Sequence, residues 1–504
     1  MLHLFLYPTA SVFAAHLNVR LLLTLAFALH FALGASLGLS VDEAHYALYA
    51  AHPDWSYFDH PPLVGWAQWP LVALDAPTWV LRLVPELLWL GTAVLVYRLA
   101  EQLATLRNGQ TGFWAVLSLS LAPLLHVLGI GLLPDTLLVF WTVLIMWLTL
   151  NLMDAHAVQR PWHWLALGMA LGLAGLSKYT AILAVPGVVA CLLLAHGLRV
   201  LGNRWLWAAL VVALLLVMPV AYWNYANHWI SFTYQANHGA GGGWQAMHVL
   251  RFLVVQALVY GPLLWWGLAG LRHGAAGGAR AMLLFFAVPF AVLAVLSGGG
   301  TSLPHWTAPA WVALAPFAGV GLVRAWNHSR RWVIALIAAA QGLLCAAALG
   351  LMLTGGYPLM TNTSGQGNAA SPSNPFADLH GWAQAGDRAR VLAAQQGLTS
   401  VSVQNWTLAS RLGWYARPLP VHVLEDRFDQ FDLWAGDLPA GASTLLVDWS
   451  QLGYSVPLGE HGFADCKLLE SQDVQRMGRV NSSFRFYACH GWSGQPQPLL
   501  VGAR

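Results

Sequence analysis

Long runs of apolar residues separated by short polar breaks dominate the first two thirds of the chain. A helix needs about 20 mostly apolar residues to cross a bilayer, and about eleven segments meet that requirement. They lie near 21–39, 79–100, 112–131, 133–153, 162–177, 179–198, 205–222, 249–270, 281–297, 304–323 and 332–354. The division between 162–177 and 179–198 is the least distinct. Beyond residue 375 the pattern changes. Residues 379–396 have helical spacing, and Val401–Val403, Val421–Leu424, Thr444–Val447 and Phe484–Ala488 read as short strands. The stretch Thr361–Pro375, rich in Ser, Asn, Gly and Pro, reads as a linker or crossover. The expectation is a membrane domain over 1–355 with a long first outside loop at 40–78, a linker over 356–375, and a small α/β domain over 376–504.

Composition agrees with that division. Of 504 residues, 58% are hydrophobic and 9% charged, against about 25% charged in a soluble domain. A soluble enzyme is therefore excluded, and a net charge of +3 with scattered positions gives no reason to expect nucleic acid as a partner. Residues 1–355 carry 14 Lys/Arg and 9 Asp/Glu, whereas the remaining 149 carry 10 and 12. With the N-terminus inside, eleven basic loop residues fall inside and only Arg82, Lys178 and Arg251 outside. By the positive-inside rule this places the tail outside, periplasmic in a bacterium. The first span lacks a cleavage pattern and reads as a retained anchor. Cys191 and Cys345 lie in apolar runs and read as inert packing. Cys466 and Cys489 can pair if the tail faces an oxidising compartment.

The candidate chemistry gathers on the outside face. Asp42 and Glu43 follow the first span directly, and the loop continues through Asp54-Trp-Ser-Tyr57-Phe-Asp59-His60-Pro-Pro. A solvated acidic cap with an aromatic belt is the plain alternative. Asp135, after Pro134, opens an apolar span as either a helix cap or a functional carboxylate. Lys178 is one of two lysines in the chain. As a point charge on a flexible stem it suits a lipid phosphate, with snorkelling as the alternative. His305 and Trp306 begin another span at the same face. Together they suit sugar transfer from a lipid phosphate. A carboxylate takes the acceptor proton, and cationic groups stabilise the departing phosphate.

The Asp42-Glu43-Ala-His-Tyr46 and Asp54-to-Pro62 motifs resemble the first-loop pattern of polyprenyl-phosphate-sugar glycosyltransferases with the GT-C architecture. Leu132–Thr136, Gly175–Tyr179, Trp223–His238 and Pro304–Trp306 resemble further parts of it, in the same order. The subgroup most similar includes protein O-mannosyltransferase-like proteins and the lipid A aminoarabinose transferase. The resemblance implies a polytopic α-helical membrane fold of about 11–13 spans with an extracytoplasmic α/β domain. It further implies an inverting transferase using an undecaprenyl-phosphate sugar, a lipid or glycan acceptor, and membrane lipids as surroundings. Asp42, Glu43 and Asp135 become the catalytic candidates. Lys178, His60, Tyr179 and Arg82 become candidates for the donor phosphate, and Tyr46, Tyr57, Asp59, His305 and Trp306 for substrate. His60 stands where the aminoarabinose enzymes carry a lysine, which argues against that sugar. No metal-ligand spacing stands out, although metal use varies among GT-C enzymes. Protein O-glycosylation, lipid-linked sugar transport and a silent envelope scaffold are the competing expectations.

Overall fold

The computed structural model describes residues 10–274, 280–328, 330–359, 374–452 and 455–498. Most of the expected linker, residues 360–373, lies outside them. Two compact units divide the chain. One contains residues 1–32, 53–67 and 79–346. The other takes in 33–52 and 68–78 together with 347–504. Part of the first loop thus groups with the tail.

The first unit is all-helical. Eight helices among the described residues, those that run into the tail's unit included, are long and apolar enough to cross a membrane. Two further pairs reach that length only as bent pairs, Gln110–Ser120 with Pro123–Ile130 (79°) and Ala246–Tyr260 with Pro262–Gly270 (100°). The expected 162–177 segment forms Pro161–Ser177, at 17 residues shorter than a full span. Both bends have local causes. Pro123 and Pro262 each lack the N–H that would continue the preceding helix, and Gly261 sits at φ 73, a region closed to most side chains. Breaking a helix in an apolar bundle strands backbone groups that lipid cannot satisfy. Gln341 serves both breaks: its Oε1 accepts from Leu263 N–H (3.2 Å) and its Nε2 donates to the Leu121 carbonyl (3.2 Å).

The Ala308–Asn327 helix runs through the centre of this unit, almost wholly buried. Its small residues allow close approach; a Cβ on Gly319 would lie 2.3 Å from the Thr111 carbonyl oxygen. One buried polar cluster in this unit is linked by hydrogen bonds. His30 bridges Glu86 and His126, at 2.6 Å each, and His126 Nε2 reaches the Ser120 carbonyl at 2.6 Å.

The second unit holds a five-stranded sheet, in the order β2-β1-β3-β5-β4. Its strands are β1 (Val401–Val403), β2 (Val421–Val423), β3 (Thr444–Trp449), β4 (Phe463–Arg476) and β5 (Arg479–Trp492). β1 pairs in parallel with β2 and β3, and the long β4–β5 hairpin is antiparallel. Cys466 and Cys489 face each other across that hairpin and form a disulfide. The Trp382–Gln396 helix packs on the sheet through Trp382, which lies against Trp449 and Phe484. The Trp406–Tyr415 helix carries the Val41–Ala51 helix: His45 Nδ1 lies 3.1 Å from Ser410 Oγ, and Leu39 N–H donates to the Tyr415 hydroxyl (2.8 Å). Trp406 and Trp434 ring His45 at 5.5 and 6.0 Å, so these tail aromatics are packing residues of that helix.

Candidate active site

In the membrane unit, four of the residues singled out above come together. The Pro134–Leu152 helix presents Asp135 in its first turn, and the Pro161–Ser177 helix ends immediately before Lys178. Asp135 does not cap its own helix. Thr136 does the local work: its Oγ accepts from Leu133 N–H (3.2 Å) and lies 3.0 Å from the Leu128 carbonyl oxygen. Both Asp135 oxygens are left to accept from Lys178 Nζ, at 2.8 and 2.7 Å. The pair is buried, with 8% and 2% of the side chains exposed. Lys178 therefore does not snorkel. His305 Nε2 lies 3.7 Å from the same carboxylate, and the Trp306 ring sits 5.5 Å from Nζ.

The short 3-10 turn Pro304–Thr307 that carries His305 and Trp306 is pinned by residues with no distinctive sequence signal. Tyr260 donates to the Pro304 carbonyl (3.0 Å), and Gln256 Oε1 accepts from Thr307 and from Trp311 Nε1 (2.8 Å for the latter). Tyr179, next to Lys178, packs its ring 5.1 Å from Phe232. Arg82 is buried where the Leu83–Leu103 helix begins.

The 53–67 part of the first loop is held against the Arg204–Ala226 and Ile230–Ala240 helices. Trp223 Nε1 donates to Asp54 Oδ2 (2.9 Å), Ser231 donates to the Tyr57 carbonyl (2.8 Å), and Gln235 donates to the Asp59 carbonyl. The buried Tyr57 hydroxyl accepts from Asp54 N–H (3.0 Å), and burial pushes its phenol above the usual range. His60 is half-buried beside it. A chain of rings connects this loop to the lysine. Phe58 lies 4.6 Å from Tyr234, Tyr234 5.3 Å from His238, and His238 5.6 Å from Trp306, which faces Lys178. Tyr234 and His238 fall inside the Trp223–His238 stretch whose role the sequence left unspecified.

Asp42, Glu43 and Tyr46 belong to the other unit. Ser40 caps the Val41–Ala51 helix and Glu43 closes the capping box: its Oε2 accepts from both Ser40 N–H and Ser40 Oγ at 3.0 Å. Asp42, one residue earlier, is half-buried on the same first turn. Tyr46 is buried against Tyr49 (5.5 Å). Beneath this turn lies Arg411, which the sequence did not mark. It is fully buried, with its guanidinium 3.8 Å from the Trp382 ring and 4.9 Å from Trp449. It pairs with Asp378, which also accepts from Val41 N–H (3.3 Å). Burial works against the Arg411 charge, and the fields of Asp42 and Tyr415 favour it. Among the described residues, no group of three or more His, Cys, Asp or Glu is arranged to hold a metal ion.

A helical membrane bundle with bent apolar spans and a small sheet domain is the GT-C fold. The chain is a multi-pass membrane glycosyltransferase with that fold. Residues 59–223 match the family described as dolichyl-phosphate-mannose-protein mannosyltransferase. The chain is 24% identical over 354 residues to the lipid A galacturonosyltransferase RgtD of Rhizobium johnstonii, covering 68% of this chain and 73% of that protein. It is 26% identical over 190 residues to the lipopolysaccharide core galacturonosyltransferase RgtA of the same organism, 38% of each. The fold matches ArnT from Cupriavidus metallidurans bound to undecaprenyl phosphate, with a TM-score of 0.63 at 17% identity, covering 95% of this chain and 99% of that one. The apo state of ArnT matches with a TM-score of 0.61 at 18% identity, covering 96% and 100%.

Proposed function

We propose that this glycosyltransferase moves a sugar from an undecaprenyl-phosphate donor to lipid A or a related lipopolysaccharide acceptor at the periplasmic face, with inversion at the anomeric carbon. The observation that carries this reading is the buried Lys178, oriented by both oxygens of Asp135 beside His305 and Trp306. A buried lysine held by a carboxylate is a preorganised cation in a low-dielectric setting, where it acts most strongly on developing negative charge. Lys178 takes the donor phosphate, and Asp135 positions it. His60, Tyr179 and Arg82 contribute to the phosphate side, and Tyr46, Tyr57, Asp59, His305 and Trp306 to substrate contacts.

In the reaction, the acceptor hydroxyl oxygen bonds to the anomeric carbon as the bond from that carbon to the phosphate oxygen breaks. Asp42 receives the hydroxyl proton. The electron pair leaves on the polyprenyl phosphate, whose added charge Lys178 stabilises. Glu43 acts indirectly, by fixing the turn that bears Asp42. The two relatives named for galacturonosyl transfer make galacturonic acid the first sugar to try. The test is incubation of the purified protein with radiolabelled undecaprenyl-phosphate galacturonic acid and lipid A. Label appearing on lipid A supports the reading. Label appearing on protein instead moves the acceptor to a Ser or Thr hydroxyl, and hydrolysis alone counts against transfer.

A further inference from the structure

The mechanism leaves unused a cavity of about 910 Å³ at the opposite end of the helices that bear Asp135 and Lys178. Its walls come from the C-terminal end of Pro134–Leu152, the start of Pro161–Ser177 and the loops beside them. The first helix carries Asp135 at its other end, about 25 Å away at 1.5 Å per residue. This is therefore a second, separate place in the same unit.

Three features of the cavity fit a phosphate. Arg107 and Arg160 both line it, and both are exposed. Arg160 is also the N-cap of the 17-residue Pro161–Ser177 helix, without a side-chain cap bond, so the free N–H groups and positive pole of that helix face the same space. Inside the first turn, His163 is only 6% exposed, and its Nδ1 has no hydrogen-bond partner among the described residues. The His163 ring forms part of the cavity wall. One acid is present, Asp154, but its carboxylate already accepts from the N–H groups of His156 (2.9 Å) and Ala157 (3.0 Å). Two guanidiniums against one carboxylate leave the wall positive. The exposed Leu194 on the rim supplies an apolar edge.

We infer that this cavity binds the phosphate of a membrane-lipid headgroup, with the acyl chains lying along the apolar edge. The volume suits a headgroup-sized ligand, and the two arginines supply the planar donors that phosphate oxygens accept from. The site is independent of sugar transfer and does not rest on the donor reading above.

Native mass spectrometry of the full-length protein, mixed in detergent with dioleoyl phosphatidylglycerol, tests it. The wild type should retain the lipid, and Arg107→Gln/Arg160→Gln should retain it at least about tenfold less. Lys178→Ala, at the far end of the helices, should retain it as the wild type does. If the double variant fails to fold, Arg107→Gln alone, at an exposed position, carries the comparison. In a second arm, inorganic phosphate is added to the loaded wild type. Lipid that stays bound assigns the site to the headgroup; lipid displaced keeps the anion site and assigns it to a soluble phosphate. Equal retention by the wild type and the arginine variants, or loss only in Lys178→Ala, would overturn the inference.

Discussion

Asp135 and Lys178 lie 43 residues apart in sequence, yet Lys178 Nζ donates to both oxygens of the Asp135 carboxylate, at 2.8 and 2.7 Å, within the helical bundle. Each charge makes the other's burial tolerable. Removing one partner strands the other, which costs about 3–5 kcal/mol, whereas removing both with apolar replacements is nearly neutral. Lys178→Met should therefore lower unfolding stability in detergent by that amount. Lys178→Met/Asp135→Leu should recover most of it while remaining inactive in sugar transfer. A double variant no more stable than the single one would show that the pair is not coupled.

The first turn of the Val41–Ala51 helix separates two adjacent acids by role. Glu43 closes the capping box with Ser40, and a Gln there keeps the same reach. Asp42 makes no part of that box. Glu43→Gln should retain most of its activity, and Glu43→Ala should lose about 0.5–2 kcal/mol of stability. Asp42→Asn should cut turnover by at least about 10²-fold, a loss larger than the modest destabilisation expected from removing a charge that favours buried Arg411. Turnover measured for all three at matched protein levels decides it; equal losses in Glu43→Gln and Asp42→Asn would reverse the assignment.

His380 gives the tail a pH dependence. Its Nε2 lies 2.9 Å from the Met352 carbonyl, and burial, helped by the charge of Arg476, lowers its pKa to about 4. The unfolded chain protonates this imidazole near its ordinary value of about 6.5. Between those limits the unfolded state binds more protons, so stability falls as pH drops from about 6.5 to 4, by on the order of 2 kcal/mol. Unfolding curves of the wild type and His380→Gln across that range should converge toward acid, because the variant lacks the penalty. Parallel curves would show that His380 does not set this pH dependence.

The cross-strand Cys466–Cys489 bond closes a loop of 23 residues in the β4–β5 hairpin. Closing a loop of that size stabilises by about 2–4 kcal/mol. Thiol labelling of the native, non-reduced protein should leave both cysteines unmodified, and reduction should expose them and lower the unfolding midpoint of the tail. Labelling of both without reductant would mean that the bond does not form and that the tail does not fold in an oxidising compartment.

The spans were readable because apolar runs of membrane length are hard to mistake, and the bends were not, because Gly261-Pro262 and Ala122-Pro123 interrupt the runs without adding polarity. In the tail, the 382–396 helix and strands β1 to β3 follow from their apolar positions. β4 did not, since Asp465, Lys467, Glu470 and Asp473 interrupt any apolar run, and its stability comes from pairing with β5 along nearly its full length. Asp135 and Lys178 stood out singly because ionisable groups in apolar surroundings are rare; their mutual bond depends on helix packing that no local pattern encodes. Arg411 was missed because an arginine in an amphipathic helix looks the same whether it meets water or, as here, two tryptophan faces and Asp378.

Lys178 is proposed to stabilise the departing polyprenyl phosphate during transfer to a lipid acceptor. Single-turnover transfer from labelled undecaprenyl-phosphate galacturonic acid to lipid A, measured for the wild type and Lys178→Ala at saturating donor, isolates that step. Label should appear on lipid A with the wild type, at a rate at least about 10²-fold higher than with the variant, both proteins being folded. Transfer by Lys178→Ala at the wild-type rate would contradict it.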